Sequence, residues 1–217
     1  QIATGVLVEG GAQGTIDANT TFNMVGETAR AAAVDGKTRN LLGEYSDPDA
    51  PPVANTLLVN HADIQGSADW QTGLQAWNQA QLVNTGNITF AGQGTYGIEA
   101  YSGATVTNSG DISVTRGGTG LYAYNYPLDG DGITPSVINN SGTLNVSAGE
   151  SILVSPTYGA VAYYPLSRIN QNGIINLYGD DVIGAEAVLG ATLNLGPDSR
   201  VVFHSPNQTA YQAMDIG

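Results

Sequence analysis

Few side chains in this sequence are placed to catalyse a reaction. Asp180 and Asp181 are adjacent carboxylates, and a glycoside hydrolase uses two carboxyl groups, one to protonate the leaving oxygen and one to activate water. Adjacent residues of a strand point to opposite faces of a sheet, so this pair is better explained as a solvated turn. The two histidines, His61 and His204, accompany none of the serine motifs that proteases use. We therefore predict no catalytic residue and no enzyme.

Metal ligands are equally scarce. The segment Asp129-Gly130-Asp131-Gly132 resembles the first half of a calcium loop, but the third acidic position and the closing glutamate are missing. The chain has no cysteine, which excludes thiolate metal sites and disulfides, and two histidines are too few to favour a zinc enzyme. The sequence thus predicts neither a metal site nor a cofactor.

Aromatic side chains recur at one position of a short element, Gly-aliphatic-x-Ala, directly after its alanine. If the alanine points inward in a strand, the following aromatic ring points outward, and successive copies form a stripe of rings. Such rings stack on sugar faces or anchor a protein interface, and a flanking glutamate favours a cationic or neutral polar ligand. Alternatively, the rings only stabilise the sheet through cross-strand contacts, or long loops cover them. The predicted ligand-binding residues are Trp77, Glu99, Tyr101, Tyr122, Tyr124 and Tyr163.

A second repeated element alternates with the first one. It reads Asn-Thr-Gly-Asn-Ile at 84–88, Asn-Ser-Gly-Asp-Ile at 108–112 and Asn-Ser-Gly-Thr-Leu at 140–144, with weaker copies at 60–64 and 171–175. The copies are 24 residues apart until residue 110, and then 32 and 31 apart. The additional residues fall near 124–137 and 148–158, in segments rich in residues typical of loops. Because the repeat stays in phase after each insertion, it indicates a solenoid.

Alternation with a period of two runs through both elements, as in Ile112, Ser113 and Val114, and is typical of half-buried strands. No segment is suited to a crossover helix, so equivalent strands must stack in parallel. We predict an all-β parallel β-helix of about 8 coils of ~24 residues, with irregular coils and an acidic, proline-rich loop in residues 1–56 and the repeats in 57–217. One buried corner would carry a ladder of amides, formed by Asn60, Asn84, Asn108, Asn140 and Gln171.

The net charge of the chain disfavours some classes of binding partner. The chain holds 19 acidic and 6 basic residues, a formal net charge of −13, so it repels nucleic acid phosphates. No run of 18 apolar residues occurs, and we expect no direct insertion of this segment into a membrane.

The cassettes Asn-Ser-Gly-Asp-Ile and Asn-Ser-Gly-Thr-Leu, each followed by Gly-aliphatic-x-Ala, resemble the passenger domains of classical bacterial autotransporters. The resemblance covers roughly residues 57–195. It implies a right-handed parallel β-helix that is exported across the outer membrane of a Gram-negative bacterium and displayed at the cell surface. Passenger domains of this family are most often adhesins.

The predicted function is therefore that of an adhesin that attaches to a host extracellular matrix protein or glycan through one face of the β-helix. The same face, or a polar ladder of Thr89, Ser113, Asn145 and Asn176, could instead join two passengers in cell aggregation or a biofilm. Two alternatives stay open. The β-helix fold also occurs in carbohydrate-active lyases and glycosidases, and a passive stalk that displays another domain has the same architecture.

Overall fold

The computed structural model describes residues 2–40, 42–53, 55–125, 134–149, 156–206 and 208–214. These residues form 22 strands in three parallel sheets, so the predicted all-β parallel β-helix is confirmed. The insertion around 126–133, which includes the calcium-like segment Asp129–Gly132, lies outside the described residues, as do residues 150–155 of the second insertion. No helix in the described part of the chain could span a membrane.

The first sheet holds eight strands, one from each coil. Every strand pairs in parallel with its equivalent in the next coil. In order they are β1 (Thr4–Glu9), β4 (Arg30–Asp35), β7 (Thr72–Trp77), β10 (Tyr96–Tyr101), β13 (Thr119–Tyr124), β16 (Thr157–Tyr163), β19 (Val182–Val188) and β22 (Gln208–Met214).

The second and third sheets hold seven strands each. The second comprises β2 (Gln13–Ile16), β5 (Leu57–Asn60), β8 (Gln81–Asn84), β11 (Thr105–Asn108), β14 (Ser136–Asn140), β17 (Ser167–Gln171) and β20 (Thr192–Leu195). The third comprises β3 (Thr21–Met24), β6 (Asp63–Gly66), β9 (Ile88–Phe90), β12 (Ile112–Thr115), β15 (Leu144–Ser147), β18 (Ile174–Tyr178) and β21 (Arg200–Phe203).

Between the three sheets lies one continuous apolar core. Its side chains stack by register, so that equivalent core residues of successive coils lie side by side. In the second sheet, one such column is at most 1% exposed and consists of Leu58, Leu82, Val106, Ile138 and Ile169. Burying a side chain of this size contributes roughly 1.5–3 kcal/mol, so the alternating apolar residues of each coil stabilise the stack.

The predicted amide ladder is present at the corner between the second and third sheets. Asn84 Nδ2 donates to Asn108 Oδ1 at 2.7 Å, and Asn108 Nδ2 donates to Asn140 Oδ1 at 2.6 Å. The same Asn108 Nδ2 also donates to the Gly110 carbonyl at 2.8 Å, which fixes the turn. These asparagines are at most 2% exposed, so the bonds replace water that the corner excludes.

Glycine lies two residues after four of the five ladder amides, where successive turns approach closely, and Ala62 takes this place after Asn60. A Cβ built on Gly110 would lie 2.0 Å from the Gly86 carbonyl oxygen, and one on Gly142 would lie 2.1 Å from that of Gly110. No side chain fits between these backbones. The glycine in the cassette is therefore a requirement of the coil spacing.

Residues 2–40 contribute strands to all three sheets, and a long excursion follows β4. That excursion returns to the body of the β-helix, because Ser46 N donates to the Thr38 carbonyl and Val53 N donates to the Gly36 carbonyl. It brings Arg39 and Tyr45 against the outer face of the first sheet. The division of the chain at residue 56 stays a prediction.

Candidate functional site

The outer face of the first sheet carries a column of large side chains that changes character along the rod. Register pairs Glu9 with Asp35 and Asp35 with Trp77 at one end. Further along, Tyr101 pairs with Tyr124, and Tyr124 pairs with Tyr163. The column therefore passes from carboxylates to an indole and then to three phenols.

Six tyrosine rings form one continuous cluster on this face, which we call the tyrosine surface. It consists of Tyr96, Tyr101, Tyr122, Tyr124, Tyr163 and Tyr164, all of them half-buried. Tyr122 stacks on Tyr124 with ring centroids 6.0 Å apart, and Tyr124 stacks on Tyr163 at 6.3 Å. Edge or tilted contacts at 4.7–6.1 Å join Tyr96, Tyr101 and Tyr164 to these three. Rings held in this way present flat apolar faces together with phenolic hydroxyls.

The structure brings four of the predicted residues together in the tyrosine surface: Tyr101, Tyr122, Tyr124 and Tyr163. Sequence reasoning missed Tyr96, whose ring centroid lies 5.4 Å from that of Tyr122. Its position directly before the glycine of the strand element was a signal that could have identified it. Tyr164 was also missed. It occupies a turn with φ of 76°, and no periodicity predicts that its ring reaches Tyr124 at 5.3 Å.

Glu99 lies beneath the tyrosine surface and does not flank it in solvent, which corrects the expectation of an exposed carboxylate. Its side chain is 4% exposed, and Tyr101 Oη donates a 2.5 Å hydrogen bond to Glu99 Oε1. Burial raises the pKa of Glu99, while the Tyr101 hydroxyl and the charge of Arg30 oppose that shift. A ligand on the rings would therefore meet phenols and not a free carboxylate.

Trp77 belongs to a second cluster next to the tyrosine surface. The Arg30 guanidinium carbon lies 4.4 Å from its ring centroid, and that of Arg39 lies 5.3 Å away. The predicted position of Trp77 in the outward column is thus correct, but its ring contacts are with cations.

A buried carboxylate anchors this second cluster. Asp35 is 0% exposed and accepts a 2.8 Å hydrogen bond from Arg39 Nη2 and a 2.7 Å hydrogen bond from Asn78 Nδ2. Tyr45 Oη also donates to it, and burial raises the pKa of Tyr45. These contacts hold the excursion after β4 against the first sheet, so the main role of the cluster is to stabilise the fold.

The polar ladder proposed for self-association lies on the third sheet. Asn145 Nδ2 donates to Ser113 Oγ at 3.2 Å, and Asn176 Nδ2 donates to Asn145 Oδ1 at 3.0 Å. The side chains of this ladder thus bond to one another along the rod. Its role in joining two chains stays a prediction.

The residues weighed for catalysis lie at the surface of the β-helix, where His204 is exposed and His61 is half-buried. Asp180 and Asp181 are exposed in the turn between β18 and β19. His61 bonds Thr85 through Nδ1 at 2.6 Å, and His204 stacks on Tyr178 with ring centroids 4.2 Å apart. Within the described ranges, no three side chains of histidine, aspartate or glutamate gather in a way that could hold a metal ion.

A family model described as the BigA third pectate lyase-like domain matches residues 8–196 of the chain. The match includes strands of all three sheets, and BigA is an autotransporter-like surface protein. No curated protein and no solved structure matches the chain. The match indicates a passenger-like β-helix of a bacterial surface or extracellular protein, a broader class than the classical autotransporters. The chain belongs to the family of the BigA third pectate lyase-like domain.

Proposed function

We propose that this β-helix is an adhesive module of a bacterial surface protein, exported across the outer membrane, and that it binds its ligand through the tyrosine surface. The observation that supports this proposal is the continuous contact of six half-buried tyrosine rings on one outer face. Rings with preset orientation lose little conformational entropy on binding, and tyrosine is enriched in binding hot spots.

The chemistry of the surface favours a neutral polar ligand. Phenols are neutral at neutral pH, and burial raises the pKa of both Tyr101 and Tyr122 further above the usual value of 10. The Tyr101 hydroxyl donates its proton to Glu99, so towards a ligand its oxygen acts as an acceptor. The chain's net charge of −13 opposes anionic polymers at long range. Sugar faces, which pair an apolar ring with hydroxyls, suit such a surface, and so does a neutral patch of a matrix protein.

The test is a binding screen of the purified chain against immobilised glycans and extracellular matrix proteins. The variants are Tyr122→Ala and Tyr124→Ala, with Tyr178→Ala on the third sheet as the matched control, since Tyr178 is 38% exposed. We expect the two surface variants to weaken binding at least about ten-fold, the scale of a hot-spot residue, and the control to bind as the wild type does. Equal binding by all four proteins would falsify the proposal.

Binding between two copies of the chain is the second form of adhesion that the surface could support. Sedimentation of the wild type alone distinguishes it, because self-association would appear without any added ligand and would be lost in Tyr122→Ala. No contact among the described residues favours the enzyme over the adhesive module. The description pectate lyase-like assigns no activity to this chain.

A further inference from the structure

A groove of about 710 Å³ opens beside the tyrosine surface, at the end of the first sheet that carries Trp77. Its lining includes the apolar side chains of Ile2, Leu7 and Leu42, which are 55%, 46% and 75% exposed. Arg30, Arg39 and Trp77 also line it. The adhesive proposal uses none of these six side chains.

The two arginines differ in how their charges are compensated. Arg39 forms ion pairs with Asp35 at 2.8 Å and with Glu9 at 3.4 Å. Arg30 forms no ion pair and no side-chain hydrogen bond with the described residues, and its Nε is buried without a partner. Its guanidinium carbon lies 4.4 Å from the centroid of the Trp77 ring.

An arginine in this state lacks the partners that normally offset its burial. Desolvation lowers the pKa of Arg30, and the nearby Glu99 only partly opposes this shift. The buried Nε of this half-buried side chain has no hydrogen bond, which costs free energy that a carboxylate could offset, because the two planar groups pair through two parallel bonds. The groove therefore offers a guanidinium that has no ion pair among the described residues and a buried, unpartnered Nε, next to apolar side chains and an indole ring.

We infer that this groove binds a ligand that carries one carboxylate on an apolar body, with the carboxylate on Arg30 and the apolar part between Trp77 and Leu7. The net charge of −13 disfavours a polyanion and leaves a single negative charge as the best match. Two sources have this chemistry: an apolar peptide carboxy terminus and a small aromatic or aliphatic acid.

Calorimetric titration of the full chain with N-acetyl-leucyl-leucine and with its carboxamide tests the inference. The two probes share the apolar body and differ in the charge, so we expect the acid to bind at least about ten-fold more tightly. A parallel titration with 3-phenylpropionate distinguishes the sources, since an affinity equal to that of the peptide acid indicates a general acid site. The indole N–H of Trp77 should shift in the NMR spectrum on addition of either acid.

Variants then test whether Arg30 is the residue that binds the carboxylate of the ligand. Arg30→Gln should remove the difference between acid and amide, and Arg30→Lys should retain part of it. Arg168→Gln, an exposed position on the second sheet, should leave it unchanged. The inference is overturned if wild-type protein binds neither acid, or if acid and amide bind equally, and both results are independent of whether Arg30→Gln folds.

Discussion

Tyr101 donates a 2.5 Å hydrogen bond to the carboxyl of Glu99, a side chain that is 4% exposed although it lies on the outer face of a sheet. The tyrosine surface therefore consists of a layer of rings with the buried carboxyl group of Glu99 beneath it. The following coil supplies one ring beside this carboxyl, because Tyr122 is the register partner of Glu99.

Tyr101→Phe keeps the ring and removes the donor. We expect the free energy of unfolding to fall by about 1–3 kcal/mol, because a buried carboxyl loses its partner. Urea denaturation at neutral pH measures the change. Tyr178→Phe, on a 38% exposed ring of the third sheet, is the control and should change stability by less than about 0.5 kcal/mol. Equal losses in the two variants would contradict the role of this hydrogen bond.

The buried position of Glu99 also predicts how stability depends on pH. Burial raises its pKa in the folded protein above the usual 4.5, so the folded state retains a proton that the unfolded state has lost. This contribution to stability is fully present below pH 4.5 and is lost as the pH rises through the folded pKa. Glu99→Gln has no proton to lose at this position.

Urea denaturation of both proteins, from below pH 4.5 to neutrality, checks that prediction. The stability of the wild type minus that of Glu99→Gln should decrease as the pH rises. A difference that stays constant or increases would show that Glu99 is not held in an environment that favours its neutral form.

The amide ladder predicts that replacing a buried asparagine destabilises the protein more than replacing an exposed one. Asn108→Ala removes donors to Gly110 and Asn140 in a buried corner, and should cost about 2–4 kcal/mol. Asn194→Ala removes one donor to Asn170 from an exposed ladder and should cost under about 1 kcal/mol. Thermal unfolding of the two variants gives the comparison, and similar midpoints would refute a special role of the buried corner.

The close approach of the turns at the cassette glycine predicts that alanine is tolerated at Gly26 but not at Gly110. In Gly110→Ala the new Cβ would lie 2.0 Å from the Gly86 carbonyl oxygen, so the two turns must separate and their hydrogen bonds must lengthen. We expect loss of the folded state or a destabilisation above about 3 kcal/mol. Gly26→Ala meets nothing within 4 Å and should fold as the wild type does. Circular dichroism with thermal melting distinguishes these outcomes, and a native melt of Gly110→Ala would be inconsistent with the structure.

The sequence was sufficient to predict the coil stacking, since each cassette repeats both its apolar alternation and its turn amide. Tyr101, Tyr124 and Tyr163 could be aligned for the same reason, because register follows from the repeat. Parallel strands keep equivalent residues adjacent, so periodicity translates directly into contact.

Features outside the repeat could not be predicted in this way. Burial of Glu99 depends on the size of the rings in neighbouring coils, and the position of Tyr164 depends on a turn with positive φ. The cations beside Trp77 come partly from the excursion after β4, whose return to the sheet leaves no periodic signal. Contacts set by loops follow from tertiary packing and not from local pattern.

Adhesion of beads coated with the purified chain to a surface carrying the ligand found in the screen tests the central claim most directly. Wild-type beads should attach, beads carrying Tyr122→Ala together with Tyr163→Ala should detach under weak flow, and beads carrying Tyr178→Ala should attach like the wild type. Firm attachment of the double variant would show that the binding face lies elsewhere on the β-helix.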